Sequence, residues 1–124
     1  MDPPPLHELE AEVMEELWER GAGSVRDVLD ALNARAAQER AYTTVLTVMQ
    51  RLHAKGLLRR EPRGRAHVYV PAMTRDEYAQ ARAEAGVGAL VSEYGDVALA
   101  QFAREMSRLD PQRREQIRRL AARD

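Results

Sequence analysis

The chain contains no cysteine. Disulfide frameworks and thiolate metal sites are therefore excluded, and a reducing compartment is expected. No apolar run approaches the roughly 20 residues that a membrane-spanning helix needs. The first residues, Met1-Asp2-Pro3-Pro4-Pro5, offer neither the basic start nor the apolar core of a signal peptide, so the expected location is the cytoplasm. Aromatic residues are scarce at 5%, against 44% hydrophobic and 31% charged residues, the balance of a soluble, helix-rich chain. Catalytic signatures are missing as well. His7, His53 and His67 have no HExxH or other ligand spacing, and no Gly-x-Ser-x-Gly or phosphate-cradling glycine loop occurs. The acids of the first helix are spaced as a solvated face. Neither enzyme activity nor a cofactor or metal is expected. A length of 124 residues allows one compact domain, or a small domain with a dimerising appendage.

An excess of one charge is also absent, since the net charge is −1. The distribution is uneven, however. Ten acids face Arg20, Arg26 and Arg35 in residues 1–39. Over residues 40–65 the balance reverses, and Arg40, Arg51, Lys55, Arg59, Arg60, Arg63 and Arg65 face only Glu61. A local basic stripe is the electrostatic footprint of a DNA-binding surface.

Apolar periodicity predicts a first helix over His7–Arg20, with Leu9, Val13 and Leu17 beside Met14 and Trp18. Glu12, Glu15, Glu16 and Glu19 fall on its other face, and Gly21 and Gly23 stop it. Ser24-Val25-Arg26-Asp27 reads as a capping box opening a helix to about Arg35, which buries Val28, Leu29 and Leu32. A polar turn covers 36–41.

The helix expected at 42–55 is the informative one. At 100° per residue, Tyr42, Val45, Leu46, Val48, Met49, Leu52 and His53 fall within an arc of about 160°. Thr43, Thr44, Thr47, Gln50 and Arg51 fill the complementary arc, which holds no acid. An ordinary solvated face mixes Glu with Lys and Arg. Hydroxyls, an amide and a guanidinium instead suit phosphates and base edges. The three β-branched Thr residues also lower helix propensity, an odd choice for a merely exposed face.

Leu57–Arg60 then reads as a strand, Glu61-Pro62-Arg63-Gly64 as a turn and Arg65–Val70 as the return strand. A helix-turn-helix followed by such a hairpin is the winged-helix layout, and Arg63 and Arg65 at the tip are placed to hold a phosphate backbone. Beyond Pro71, Thr74-Arg75-Asp76-Glu77 is a second capping box for a helix toward Ala85, which Gly86 and Gly88 are expected to interrupt or kink. An apolar stretch, Val87–Tyr94, follows. Asp96 is expected to cap a helix to about Met106 with Leu99, Phe102, Ala103 and Met106 on one face, and Asp110-Pro111 opens the last helix. This tail has few large apolar groups and is expected to bury them against a second copy. The fold class expected is mainly α with a small β-hairpin: a flexible segment 1–6, a winged-helix DNA-binding domain 7–72 and a helical dimerisation domain 73–124.

Several strings resemble the BlaI/MecI/CopY family of bacterial winged-helix repressors. They are Leu9-Glu10, Val13-Met14 and Leu17-Trp18; Ala41-Tyr42-Thr43-Thr44-Val45, Gln50-Arg51-Leu52 and Lys55-Gly56-Leu57; the wing with Tyr69; and Phe102-Ala103. The resemblance runs from Leu6 onward and is most specific in the third helix. It implies a cytoplasmic homodimer that represses a pseudo-palindromic operator, often of β-lactam resistance genes. It places Thr44, Thr47 and Arg51, with Thr43 beside them, at the DNA-reading positions. It also implies release by proteolysis in the dimerisation domain, downstream of a membrane sensor, at an Asn–Phe pair. The matching pair here is Gln101-Phe102, with Gln in place of Asn. Zero cysteine argues against the copper-sensing branch, which uses paired cysteines. Two other readings are a winged helix used as a protein-interaction module, which predicts no salt-dependent DNA affinity, and a regulator with a small molecule near Tyr94 and Phe102.

Overall fold

The computed structural model describes residues 3–35 and 38–123. Its elements in chain order are α1 (Glu8–Arg20), α2 (Val25–Arg35), α3 (Tyr42–Ala54), β1 (Leu58–Arg63), β2 (Ala66–Pro71), α4 (Arg75–Tyr94), α5 (Asp96–Ser107) and α6 (Pro111–Ala121). The chain divides into two compact units, Met1–Ala83 and Glu84–Asp124. Of the turn expected at 36–41, residues 36 and 37 lie outside the described residues.

The first unit is a three-helix core with a β-hairpin, the winged-helix arrangement. Its interior is Val13, Met14 and Leu17 of α1, Val28, Leu29 and Leu32 of α2, and Val45, Met49 and Leu52 of α3, closed by Leu57, Leu58 and Tyr69. The Ser24 capping box forms as its spacing implies. The Ser24 hydroxyl accepts from Asp27 N–H at 3.0 Å, and the Asp27 carboxylate accepts from Ser24 N–H at 3.0 Å. Hydrogen bonding from the Ser24 backbone N–H and hydroxyl, aided by the charges of Arg20 and Arg63, holds the Asp27 carboxyl below its usual range. α3 ends with Leu57 N–H donating to Leu52 O and Gly56 N–H to His53 O, the paired bonds of a Schellman motif.

The solvated-face reading of α1 fails at two acids. Glu10 and Glu16 are 1% and 7% exposed. Glu16 turns inward because Arg20 and Arg35 meet it at 2.8 and 2.9 Å. Burial alone would raise the carboxyl's pKa, but the hydrogen bonds and charges of the two arginines outweigh it and hold it low.

The hairpin is tighter than expected. β1 continues through Pro62 to Arg63, which pairs with Ala66, so the turn is Gly64-Arg65 rather than 61–64. Gly64 has φ +64° and Arg65 has no positive φ, the pattern of a two-residue type II′ turn. Proline is admitted because a two-stranded sheet has only edge strands. Gly23, expected only to stop α1, also makes a bridge to β2: its N–H donates to Tyr69 O at 3.1 Å and its carbonyl accepts from Tyr69 N–H at 2.8 Å. A Cβ at Gly23 would sit 3.0 Å from Arg20 Cδ and 3.4 Å from Leu17 Cδ2, so the close approach favours glycine.

The segment from Pro3 onward, expected to be flexible, has fixed partners within the first unit. Pro4 O accepts from the Tyr78 hydroxyl and Pro3 O from Arg82, while Leu6 packs on the core. Trp18 Nε1–H donates to Met73 O, and Arg75 binds Glu15 while lying 5.8 Å from the Trp18 ring centroid.

α4 runs unbroken through Gly86 and Gly88, contrary to the expected interruption. Each glycine costs a helix only about 1 kcal/mol relative to Ala, and the surrounding alanines and the absence of proline carry the helix through. Gly95, not Asp96, takes the cap position of α5, and Asp96 is its first helical residue. Asp110 caps α6 as expected, accepting from Arg113 N–H at 2.9 Å. In the second unit Ala98 is the only buried hydrophobic among the described residues, while Val87, Leu90, Tyr94, Val97, Leu99 and Leu120 are exposed. Of the face expected from Leu99, Phe102, Ala103 and Met106, Phe102 and Met106 are half-buried and Leu99 and Ala103 are exposed.

Candidate nucleic-acid interface

α3 is amphipathic in the sense its sequence implies. Val45, Val48, Met49 and Leu52 are buried, and Thr43, Thr44, Thr47, Gln50 and Arg51 are all exposed. Anchoring by four buried side chains fixes which face is left outward. Two residues depart from the expected apolar arc. Tyr42 is 42% exposed, and the Arg26 guanidinium lies 5.0 Å from its ring centroid, a cation–π contact. His53 is half-buried and meets Tyr69 edge-on at 6.5 Å between centroids.

The basic stretch resolves into two groups. Arg40 is paired with Glu12 at 3.2 Å, Lys55 with Glu10 at 2.9 Å, and Arg59 lies 3.9 Å from Glu61. Arg51, Arg60, Arg63 and Arg65 have no carboxylate within 4.0 Å among the described residues. Arg63 ends β1 and Arg65 sits in the turn, so both occupy the tip of the wing. Unpaired guanidiniums keep their full donor set for an anionic partner.

Between the start of α2, α3 and the hairpin lies a groove of about 440 Å³, lined in part by Arg26, Tyr42, Gln50, Arg60, Arg65 and His67. The sequence-derived site of Thr43, Thr44, Thr47, Arg51, Arg63 and Arg65 omits all of these but Arg65. Arg60 could have been found from the basic run. Arg26 could not, because only the tertiary fold brings α2 beside Tyr42.

Gln101 and Phe102 belong to the second unit, in the middle of α5. Gln101 is exposed and Phe102 half-buried, and both line an apolar hollow of about 260 Å³ with Leu90, Tyr94, Val97 and Ala98. No group of His, Asp and Glu among the described residues is arranged to hold a metal ion, and no helix among them is long and apolar enough to cross a membrane.

Known proteins share this fold and part of its sequence. Over 73 residues the chain is 48% identical to the transcriptional regulator BlaI of Mycobacterium tuberculosis, in both strains CDC 1551 and H37Rv, covering 58% of this chain and 51% of that protein. It thus spans about half the length of the curated relatives it matches. The solution structure of the DNA-binding domain of the repressor BlaI aligns with a TM-score of 0.53 at 28% identity, over 63% of this chain and 94% of that one. The monomeric form of Bacillus licheniformis BlaI, solved in complex with the blaP half-operator, aligns with a TM-score of 0.51 at 28% identity, over 61% and 90%. Residues 6–123 match the penicillinase repressor family, and the chain, with its winged-helix unit, belongs to it.

Proposed function

We propose that the chain is a sequence-specific, DNA-binding transcriptional repressor. The observation that carries this reading is the outward face of α3, acid-free and bearing Arg51, in the same unit as the unpaired arginines of the wing. α3 enters a major groove, where Thr43, Thr44, Thr47 and Arg51 meet base edges and adjacent phosphates. Arg63 and Arg65 hold the flanking backbone. The likeness to a BlaI form solved with a half-operator supports the same partner, double-stranded operator DNA.

The repressor acts as a homodimer through residues 73–124. The exposed apolar side chains of the second unit support this, because a second copy would cover what the unit itself leaves in water. A twofold dimer requires a pseudo-palindromic operator with half-sites about one helical turn apart or more. Footprinting on the chain's own upstream region tests the proposal. Protection of an inverted repeat is expected, and no protection at any salt concentration would refute it.

Relief of repression by a protease linked to a membrane sensor belongs to the same proposal, with cleavage between Gln101 and Phe102. Cutting there would separate α6 and half of α5 from α4. The bond is helical, so α5 must open locally before a protease can take it in an extended form. Mass spectrometry of fragments from induced cells tests this step. A product ending at Gln101 is expected, and intact chain after induction would refute it.

A further inference from the structure

We propose that Asn33 and Lys55 are positioning residues that hold the two ends of α3, and that Lys55, despite lying in the basic stretch, is not a DNA contact. This rests on the DNA-reading function above.

At the entrance to α3, Asn33 in the last turn of α2 binds the backbone of Arg40 twice. Arg40 N–H donates to Asn33 Oδ1 at 2.7 Å, and Asn33 Nδ2–H donates to Arg40 O at 3.1 Å. Arg40 stands two residues before the helix begins. A primary amide carries the donor and acceptor that this double contact requires, so the clamp is specific to that side-chain type. The Arg40 guanidinium is held separately by Glu12 of α1.

At the exit, Lys55 is the C-cap residue, and its Nζ donates to Glu10 Oε2 at 2.9 Å. The other oxygen of Glu10 accepts from His7 N–H at 3.0 Å. One carboxylate thus closes the start of α1 and the end of α3 together. Glu10 is 1% exposed, so its position is set by packing, unlike that of a surface acid. Burial raises its carboxyl's pKa, and the Lys55 hydrogen bond, the His7 N–H and the Lys55 charge more than offset that. An ammonium spent on a buried carboxylate is not available to neutralise a phosphate, but it fixes the angle at which the face of α3 is presented.

The two roles separate in a salt titration, because a phosphate contact contributes about 1 to the slope of log Kd against log salt and a positioning residue contributes nothing. The full-length chain, wild type and Asn33→Ala, Lys55→Met and Lys55→Arg, is titrated with the footprinted duplex at several salt concentrations, with melting temperature measured in parallel. Asn33→Ala and Lys55→Met are expected to bind roughly three- to thirtyfold more weakly at every salt concentration with an unchanged slope, and Lys55→Arg to recover most of the affinity. Lys55→Gln, which also removes the charge but keeps a polar end, takes the place of Lys55→Met if that variant does not fold, and is read in the same way. A slope that flattens by about 1 in Lys55→Met would make Lys55 a phosphate contact and overturn the proposal. Folded variants with lower melting temperature but wild-type affinity would show a merely structural role and overturn it too. Absence of DNA binding by the wild type would instead remove the function on which the proposal rests, and the proposal with it.

Discussion

Arg51 and Leu52 are neighbours in the chain on opposite sides of α3, and their truncations should have opposite effects. Arg51 is exposed and makes no ion pair or side-chain hydrogen bond among the described residues, so Arg51→Ala removes nothing from the free protein. Alanine is the slightly better helix former, and the change in stability should stay within about ±0.5 kcal/mol. For a domain of this size that is a shift of only about 2–4 °C in melting temperature. In the complex, an Arg reading a guanine is worth about 1–3 kcal/mol, or roughly 5- to 150-fold in Kd, and specificity at that base should relax. Leu52 is 0% exposed between three helices, and Leu52→Ala should cost about 2–5 kcal/mol of stability. Its folded fraction should still bind with near-native affinity. Fluorescence anisotropy with the operator duplex, beside thermal denaturation by circular dichroism, reads both quantities. Equal Kd for wild type and Arg51→Ala, or a large stability loss in that variant, would refute the assignment of α3 as the reading helix.

Arg63→Ala should weaken binding to operator and unrelated DNA alike and lower the salt slope by about 1; an unchanged slope would remove Arg63 from the phosphate contacts. Glu10 and Glu16 both titrate below their usual 4.5, so their contribution to stability is complete above that value and is lost as pH falls through the lower folded values. Urea midpoints should therefore drop on acidification, and the Glu16→Gln variant should show a shallower drop than wild type. Val97 is 70% exposed and lines the hollow with Leu90 and Phe102, and Val97→Glu should shift sedimentation toward monomer; an unchanged dimer would move the interface elsewhere. Ser24→Ala removes one bond of the α2 capping box and should cost about 0.5–2 kcal/mol by urea unfolding.

Much of this architecture is written locally. The periodicity of α1, α2 and α3, the Ser24 and Asp110 caps and the hairpin each depend on residues within a few positions of one another. The outward face of α3 was legible for the same reason: 3.6-residue geometry alone separates Thr44, Thr47 and Arg51 from Val45, Met49 and Leu52. What sequence could not supply depends on distant partners. Glu16 is solvated by its own helix's pattern, yet it is buried with Arg20 of that helix and with Arg35, which arrives from α2. Lys55 belongs to a basic run by position and to Glu10 by tertiary structure. Gly86 and Gly88 look like breaks, yet a helix tolerates isolated glycines when its neighbours favour continuation. The hairpin turn was misplaced because Pro62 signals a turn in general, whereas an edge strand accommodates it.

The rung between Gly23 and Tyr69 bears on how the wing behaves. Beyond Tyr69 the hairpin has three more paired positions before its turn, a reach of about 10 Å. The base is fastened on one side by Gly23 and on the other by the burial of Tyr69, while residues 61–67 are all exposed. The hairpin is therefore expected to behave as a lever with a fixed fulcrum and a compliant end, its arginines following backbones of different groove width while the helix beside the fulcrum keeps its setting. Amide hydrogen exchange should slow from tip to base, slowest at Tyr69. Equal protection at Ala66 would mean a rigid wing, one that selects groove width instead of accommodating it.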